Sequence, residues 1–162
     1  MVAPHGGILI NRLVEPDKVG ALEADMQKMT RVDVSGEVEV ELQNIGVGTF
    51  SPLEGFMTRA DVDGIVKEDR LESGMVWTIP VMLDVPTAVA EGLETGEDVA
   101  LFGPAGTPEA VLHLEEKYDI DRTAACEAVF GTSDKEHPGV AKLMGAGEVF
   151  LGGKVDVLRR KP

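Results

Sequence analysis

Apolar and polar positions along this chain fall into two alternating periods. In residues 15–29, EPDKVGALEADMQKM, Val19, Leu22, Met26 and Met29 recur at helical spacing and Pro16 stands near the start, which predicts a helix. The next stretch, RVDVSGEVEVEL, alternates through Val38, Val40 and Leu42, the period of a strand or hairpin with Ser35-Gly36 as its turn. Then GVGTFSPLEGFM, residues 46–57, breaks an apolar run with turn chemistry. Ser51 as an N-cap hydroxyl, Pro52 at the first helical position and Glu54 three residues after the cap predict a helix start that Gly55 ends almost at once. The stretch reads as a tight architectural corner, with Phe50 and Phe56 as packing anchors beneath it.

Residues 58–71, TRADVDGIVKEDRL, repeat a capping-box pattern at Thr58 and Asp61 and supply an apolar face of Val62, Ile65 and Val66. Beyond Gly74 the pattern is β-type. MVWTIPVMLDV is a continuous strand-like run in which Pro80 indicates an edge or a bulge. EDVALF and EAVLHLEEKY read as two strands joined by the hairpin turn GPAGTP. DIDRTAACEAVFG predicts a helix closed by Gly131, and HPGVAKLMGAG a short helix with Pro138 at its first position. EVFLGGKVDVLRR reads as a strand, a Gly-Gly bend or bulge, and a further strand. About four to seven strands interleaved with short helices suit a mixed α/β (α+β) barrel better than a parallel doubly wound sheet.

Composition narrows the partners. The 162 residues suit one domain, 1–162, and a chain of this length buries about 70% of the surface it exposes when unfolded. With 29 acidic and 15 basic residues, net charge −14, general affinity for nucleic acid or for an anionic membrane is disfavoured. The single cysteine, Cys126, excludes an internal disulfide framework, and its Ala-rich surroundings read as a small buried thiol. No apolar run reaches the ~18 residues of a membrane span, and the N-terminus lacks a signal-peptide pattern, so a cytoplasmic location is expected.

Local chemistry is sparse. GEVFLGGKV has Lys154 after the wrong glycine and Val155 where a phosphate-binding loop needs a hydroxyl. His5, His113 and His137 form no metal-ligand spacing, so no metal site and no catalytic residue is assigned. His113 alternates with apolar neighbours as an outward strand residue, and His137 before Pro138 reads as a cap or turn. His5 beside Gly6 and Gly7 reads as a structural histidine buried against close-approaching backbone.

Five stretches then occur in order: PHGGILINR at 4–12, GTFSPLEGFM at 48–57, RLESGMVWTIPVMLDV at 70–85, VFGTSDKEHPGV at 129–140 and LGGKVDVL at 151–158. Together they resemble the N-terminal domain of ATP sulfurylase (sulfate adenylyltransferase), which implies a PUA-like β-barrel over nearly the whole chain. That family joins sulfate to the α-phosphorus of ATP, forming adenosine 5′-phosphosulfate and releasing pyrophosphate. Its chemistry resides in a following domain with Q-x-R-N, H-x-x-H and G-R-D elements. None is found here: Gln27 and Gln43 lack an arginine two residues on, and there is no H-x-x-H or Gly-Arg-Asp. The resemblance therefore implies a chain without cofactor of its own, ATP and Mg being used by the catalytic domain, which it would accompany in cis or in trans. Arg159, Arg160 and Lys161 read as the start of an interdomain connection. His5, Gly6 and Gly7, with His137, Pro138 and Gly139, are candidates for facing that partner domain. A homo-oligomer is also implied, since the family forms them. The alternatives are a stand-alone PUA-like binding or assembly module, with RNA disfavoured by charge, and a self-sufficient enzyme.

Overall fold

The computed structural model describes residues 2–162. A six-stranded mixed sheet organises them, running β1 (Thr30–Asp33), β4 (Asp98–Phe102), β5 (Pro108–Tyr118), β6 (Val149–Val157) and β2 (Gly55–Phe56), with β3 (Leu83–Val85) also on β6. β1 pairs β4 in parallel, and the remaining pairings are antiparallel. The end strands β1 and β2 do not pair, so the sheet is open. This corrects the expectation of a closed barrel: β2 and β3 lie on successive segments of the same β6 edge and end the sheet there.

Six helices fill the connections: α1 (Val19–Met26) after a 3₁₀ turn at Pro16–Lys18, α2 (Gly36–Gly46), α3 (Arg59–Glu68), α4 (Thr87–Glu91), α5 (Arg122–Phe130) and α6 (Pro138–Met144). Four of the five residues of β4 are buried because both of its faces are covered. Val99 and Leu101 point into the main core, and Ala100 and Phe102 into a smaller cluster with Met26 and Val111 under α1.

The main departure from the sequence reading is α2, which replaces the second half of the strand or hairpin expected over 31–42, while the first half is β1. Ser35 is its N-cap, its hydroxyl accepting from the Val38 N–H at 3.3 Å, and Glu37 and Glu39 favour the positive helix start. Val38, Leu42 and Ile45 are buried at helical spacing, whereas Val40, the residue that completed the alternation, is 60% exposed. Both periods share Val38 and Leu42, so the cap and the core decided between them.

Four further expectations are corrected. Residues 47–52 form a turn, with a cis Ser51–Pro52 peptide, and no helix begins there. Only 83–85 of the long β-type run is strand. Upstream, the Trp77 N–H donates to the Asp69 carbonyl and Pro80 has no N–H to give a ladder. Gly152-Gly153 makes no break in β6; the bulge is on the partner strand, between Leu114 and Glu116. The glycines serve close approach, since a side chain on Gly153 would strike the His113 carbonyl and one on Gly55 the backbone of Gly153. At α3, Thr58 holds the N-cap position without a side-chain cap bond, and Asp61 accepts from the Glu72 N–H at 2.9 Å instead.

Candidate functional site

Two adjoining cavities stand against the helical side of this scaffold, sharing Glu41, Ile79 and Pro80 in their walls. The first, about 460 Å³, is closed by the N-terminal segment and the 76–81 loop, with Phe50 and Trp77 meeting edge to face at 6.2 Å. The second, about 370 Å³, opens between β3, α5 and α6.

The corner builds the first cavity. Ser51 is buried, its hydroxyl donating to the Gly48 carbonyl at 2.6 Å and accepting from the Ile10 N–H at 3.0 Å. That pair of bonds holds the N-terminal segment against the end of α2. Pro52 is half-buried in the turn, Phe56 sits in the main core, and Phe50 is only half-buried. The two phenylalanines thus differ: one anchors, the other forms cavity wall. His5 is exposed, which corrects the expectation of a buried histidine. Its Nε2 donates to the Val76 carbonyl at 2.8 Å and its ring tilts toward Trp77 at 5.8 Å. Gly6 and Gly7, at φ +84° and +81°, take the left-handed conformation that lets the chain turn back beside Met75.

Of His137, Pro138 and Gly139, only Gly139 lines the second cavity; the other two precede it at the start of α6. His137 caps α6, with Nδ1 accepting from the Gly139 N–H at 3.1 Å, and Pro138 begins the helix. The Phe130 ring packs 5.0 Å from His137 and against Gly139, where a Cβ would collide with it. The two histidine motifs are therefore not in contact; each borders a different cavity, and the Glu41–Ile79–Pro80 wall separates them.

Glu41 was missed by the sequence reading, because a strand over 36–42 gives no reason to place it beside Ile79. A helical reading would have put it one turn from Glu37. Burial pushes its carboxyl up to about 7; Lys142 opposes this, and Glu37 and Asp84 reinforce it. Lys142 itself is held above its ordinary value, first by its ion pair with Glu37 at 2.6 Å. On the far side of the sheet, His113 is half-buried on β5 between Asp98 (Nδ1, 2.6 Å) and Asp156 (Nε2, 2.7 Å), and Arg12 also pairs with Asp156 at 3.0 Å. Burial alone would lower the imidazole, but hydrogen bonds to the two carboxylates outweigh it and raise its pKa.

Two of the three C-terminal basic residues are paired within the domain. Arg159 pairs with Glu23 at 2.6 Å, and Lys161 reaches both Glu39 and the buried Glu109. Among the described residues no group of three or more His, Cys, Asp or Glu is arranged to hold a metal ion. Nor do the cavities suit a polyphosphate. Glu41 and Asp84 line the second, and its one cation, Lys142, is already paired.

The open mixed sheet with helices in its crossings is consistent with a PUA-like module. A model of the PUA-like domain matches residues 2–160, and the chain belongs to that family. Among individual proteins, a sulfate adenylyltransferase of Halothermothrix orenii is 42% identical over 161 residues, covering 99% of this chain and 42% of that protein. One from Cenarchaeum symbiosum is 40% identical over 98% of this chain and 40% of its own length. A probable bifunctional SAT/APS kinase 2 of Sorangium cellulosum is 39% identical over 99% of this chain and 28% of its own. The chain thus spans about two fifths of the length of the sulfate adenylyltransferases it matches. Among solved structures, a hexameric APS kinase from Thiobacillus denitrificans superposes with a TM-score of 0.75 at 24% identity, over 100% of this chain and 28% of that one, a likeness of fold.

Proposed function

We propose that this chain is the single, non-catalytic PUA-like domain of a sulfate adenylyltransferase. It supports the conversion of ATP and sulfate to adenosine 5′-phosphosulfate and pyrophosphate by packing against a catalytic domain, in cis or in trans. The observation that carries this reading is the similarity of essentially the whole chain, at about 40% identity, to sulfate adenylyltransferases more than twice its length. The surface is in keeping with it. Ile8 and Leu9 on the N-terminal segment and Val76 and Ile79 on the facing loop are exposed, and the His5–Val76 bond holds the two segments together. Such neighbouring exposed apolar side chains mark an interaction face.

The test pairs the purified chain with the sulfate adenylyltransferase of Halothermothrix orenii truncated to remove the matching region. Sedimentation is expected to show a complex, and pyrophosphate release from ATP and sulfate is expected to rise when the two are mixed. Failure to associate, together with a native mass of 17.3 kDa in source cells, would sink both the cis and the trans forms. A native mass of about 40–50 kDa would support the cis form, since two domains of ordinary size add to that. Pyrophosphate release from ATP and molybdate by the chain alone would overturn its non-catalytic assignment.

A further inference from the structure

We propose that the cavity between β3, α5 and α6 is a binding site for a small organic cation: an amine or amidine on an apolar body, its nitrogen paired with the Glu41 carboxylate. The walls are apolar where a body would lie. Met82, Val129, Phe130, Leu143 and Phe150 enclose most of the space, with Ile79 at the mouth. At about 370 Å³ the cavity is of the size that takes small ligands, and an apolar space of about 150 Å³ already suffices for benzene. Gly139 contributes by having no side chain, so that the Phe130 ring can lie against the first turn of α6.

Three charged groups line this space, and two are already engaged. Asp84 Oδ2 accepts from the Gly147 N–H at 2.8 Å, and the Lys142 ammonium is paired with Glu37 at 2.6 Å. The Glu41 carboxylate makes no hydrogen bond or ion pair with any described residue, although the residue is half-buried. A carboxylate that has lost part of its water without gaining a partner is poised to receive a donor from a ligand. The sign of the ligand follows from the surroundings: Glu37 and Glu41 on α2 and Asp84 on β3 face Lys142 on α6, three carboxylates against one ammonium. An anionic ligand is repelled, a neutral one gains only a hydrogen bond, and a cation gains a charge-assisted pair. Burial holds the Glu41 carboxyl near neutrality when empty, so a bound cation would draw it into the ionised form.

The site concerns the chain alone and does not depend on any catalytic domain. It is tested by titrating the isotope-labelled chain with phenethylamine, its neutral isostere 2-phenylethanol and the anionic 3-phenylpropionate, reading backbone amide shifts. At pH 8 the amine is expected to give saturable shifts at Met82, Phe130, Gly139 and Leu143 and to bind at least about tenfold more tightly than the alcohol. The carboxylate should produce none. At pH 6, with Glu41 largely protonated, the preference for amine should shrink several-fold. Glu41→Gln should keep the alcohol's affinity and lose the amine preference, and Ala146→Phe, which fills the cavity, should abolish both. Shifts absent from the cavity, equal affinities at pH 8, or a preference that survives Glu41→Gln would each overturn the proposal. If Glu41→Gln does not fold, the comparison of amine with alcohol at the two pH values decides alone.

Discussion

Ser51 shows how one side chain acquires a role that its sequence neighbours conceal. Followed by Pro52 and Glu54 it has the pattern of a helix cap, but its hydroxyl serves the Ile10 N–H and the Gly48 carbonyl across the corner. Ser51→Ala leaves the half-buried Ile10 N–H without its acceptor and the Gly48 carbonyl with only the Ser51 N–H, and is expected to cost about 1–2 kcal/mol in urea denaturation; a change of a few tenths would show the bonds to be dispensable. Phe56→Ala should cost about 3–5 kcal/mol, because Phe56 is 3% exposed within the main core. Two titrating residues give opposite substitutions the same kind of readout. The Glu41 carboxyl is raised on folding, so the unfolded state releases its proton first. Stability therefore falls as pH rises from the ordinary carboxylate value of 4.5 to about 7. Glu41→Gln should flatten that interval and stabilise the chain above pH 7 by about 1 kcal/mol after allowing for solvent screening. His113 is also raised, so its contribution is complete below an ordinary histidine value of 6.5 and is lost as pH rises through its folded value. His113→Gln should remove only that upper part of the pH profile, measured as Tm against pH.

Among elements, the junction of α5 and α6 joins the packing of Phe130 on Gly139 to one guanidinium. Arg122 donates to the carbonyls of Leu143 and Ala146, both at 3.0 Å, and of Gly147 at 2.6 Å, while its plane lies 4.8 Å above the Phe150 ring. These carbonyls belong to the end of α6 and the turn after it, which have no intrahelical donors left. Lysine offers a point charge in place of a planar fork, so Arg122→Lys is expected to cost about 1–3 kcal/mol and to loosen the second cavity. Full retention of stability by the lysine variant would mean that charge alone holds the junction. No local pattern announces this contact, because its partners are backbone groups more than twenty residues away. Elements with strong local signals were legible: the Gly131 stop of α5, the Pro138 start of α6, and the hairpin between β4 and β5. Where local signals were evenly matched, as at 36–46, the buried face of α2 against the sheet chose the helix.

At the scale of the molecule, charge and apolar exposure point in complementary directions. A net charge of −14 keeps most of the surface in water, while Leu9 and Ile79 remain 63% and 65% exposed. If these residues dock a catalytic domain, Leu9→Asp with Ile79→Asp should weaken that complex at least tenfold and leave the Tm of the isolated chain nearly unchanged; unchanged affinity would place the interface elsewhere. The helices with clear caps and stops, the β4–β5 hairpin and the resemblance carried by five ordered motifs were properties of the sequence itself. They depend on spacing, turn residues and local capping, which act between near neighbours. The open edge of the sheet, the placing of His5 and Gly139 on separate cavities, and the isolation of the Glu41 carboxylate from any partner among the described residues were decided only by tertiary structure. Each depends on which distant backbone or side chain fills the adjoining space, and burial, pairing and charge are set by those non-local neighbours.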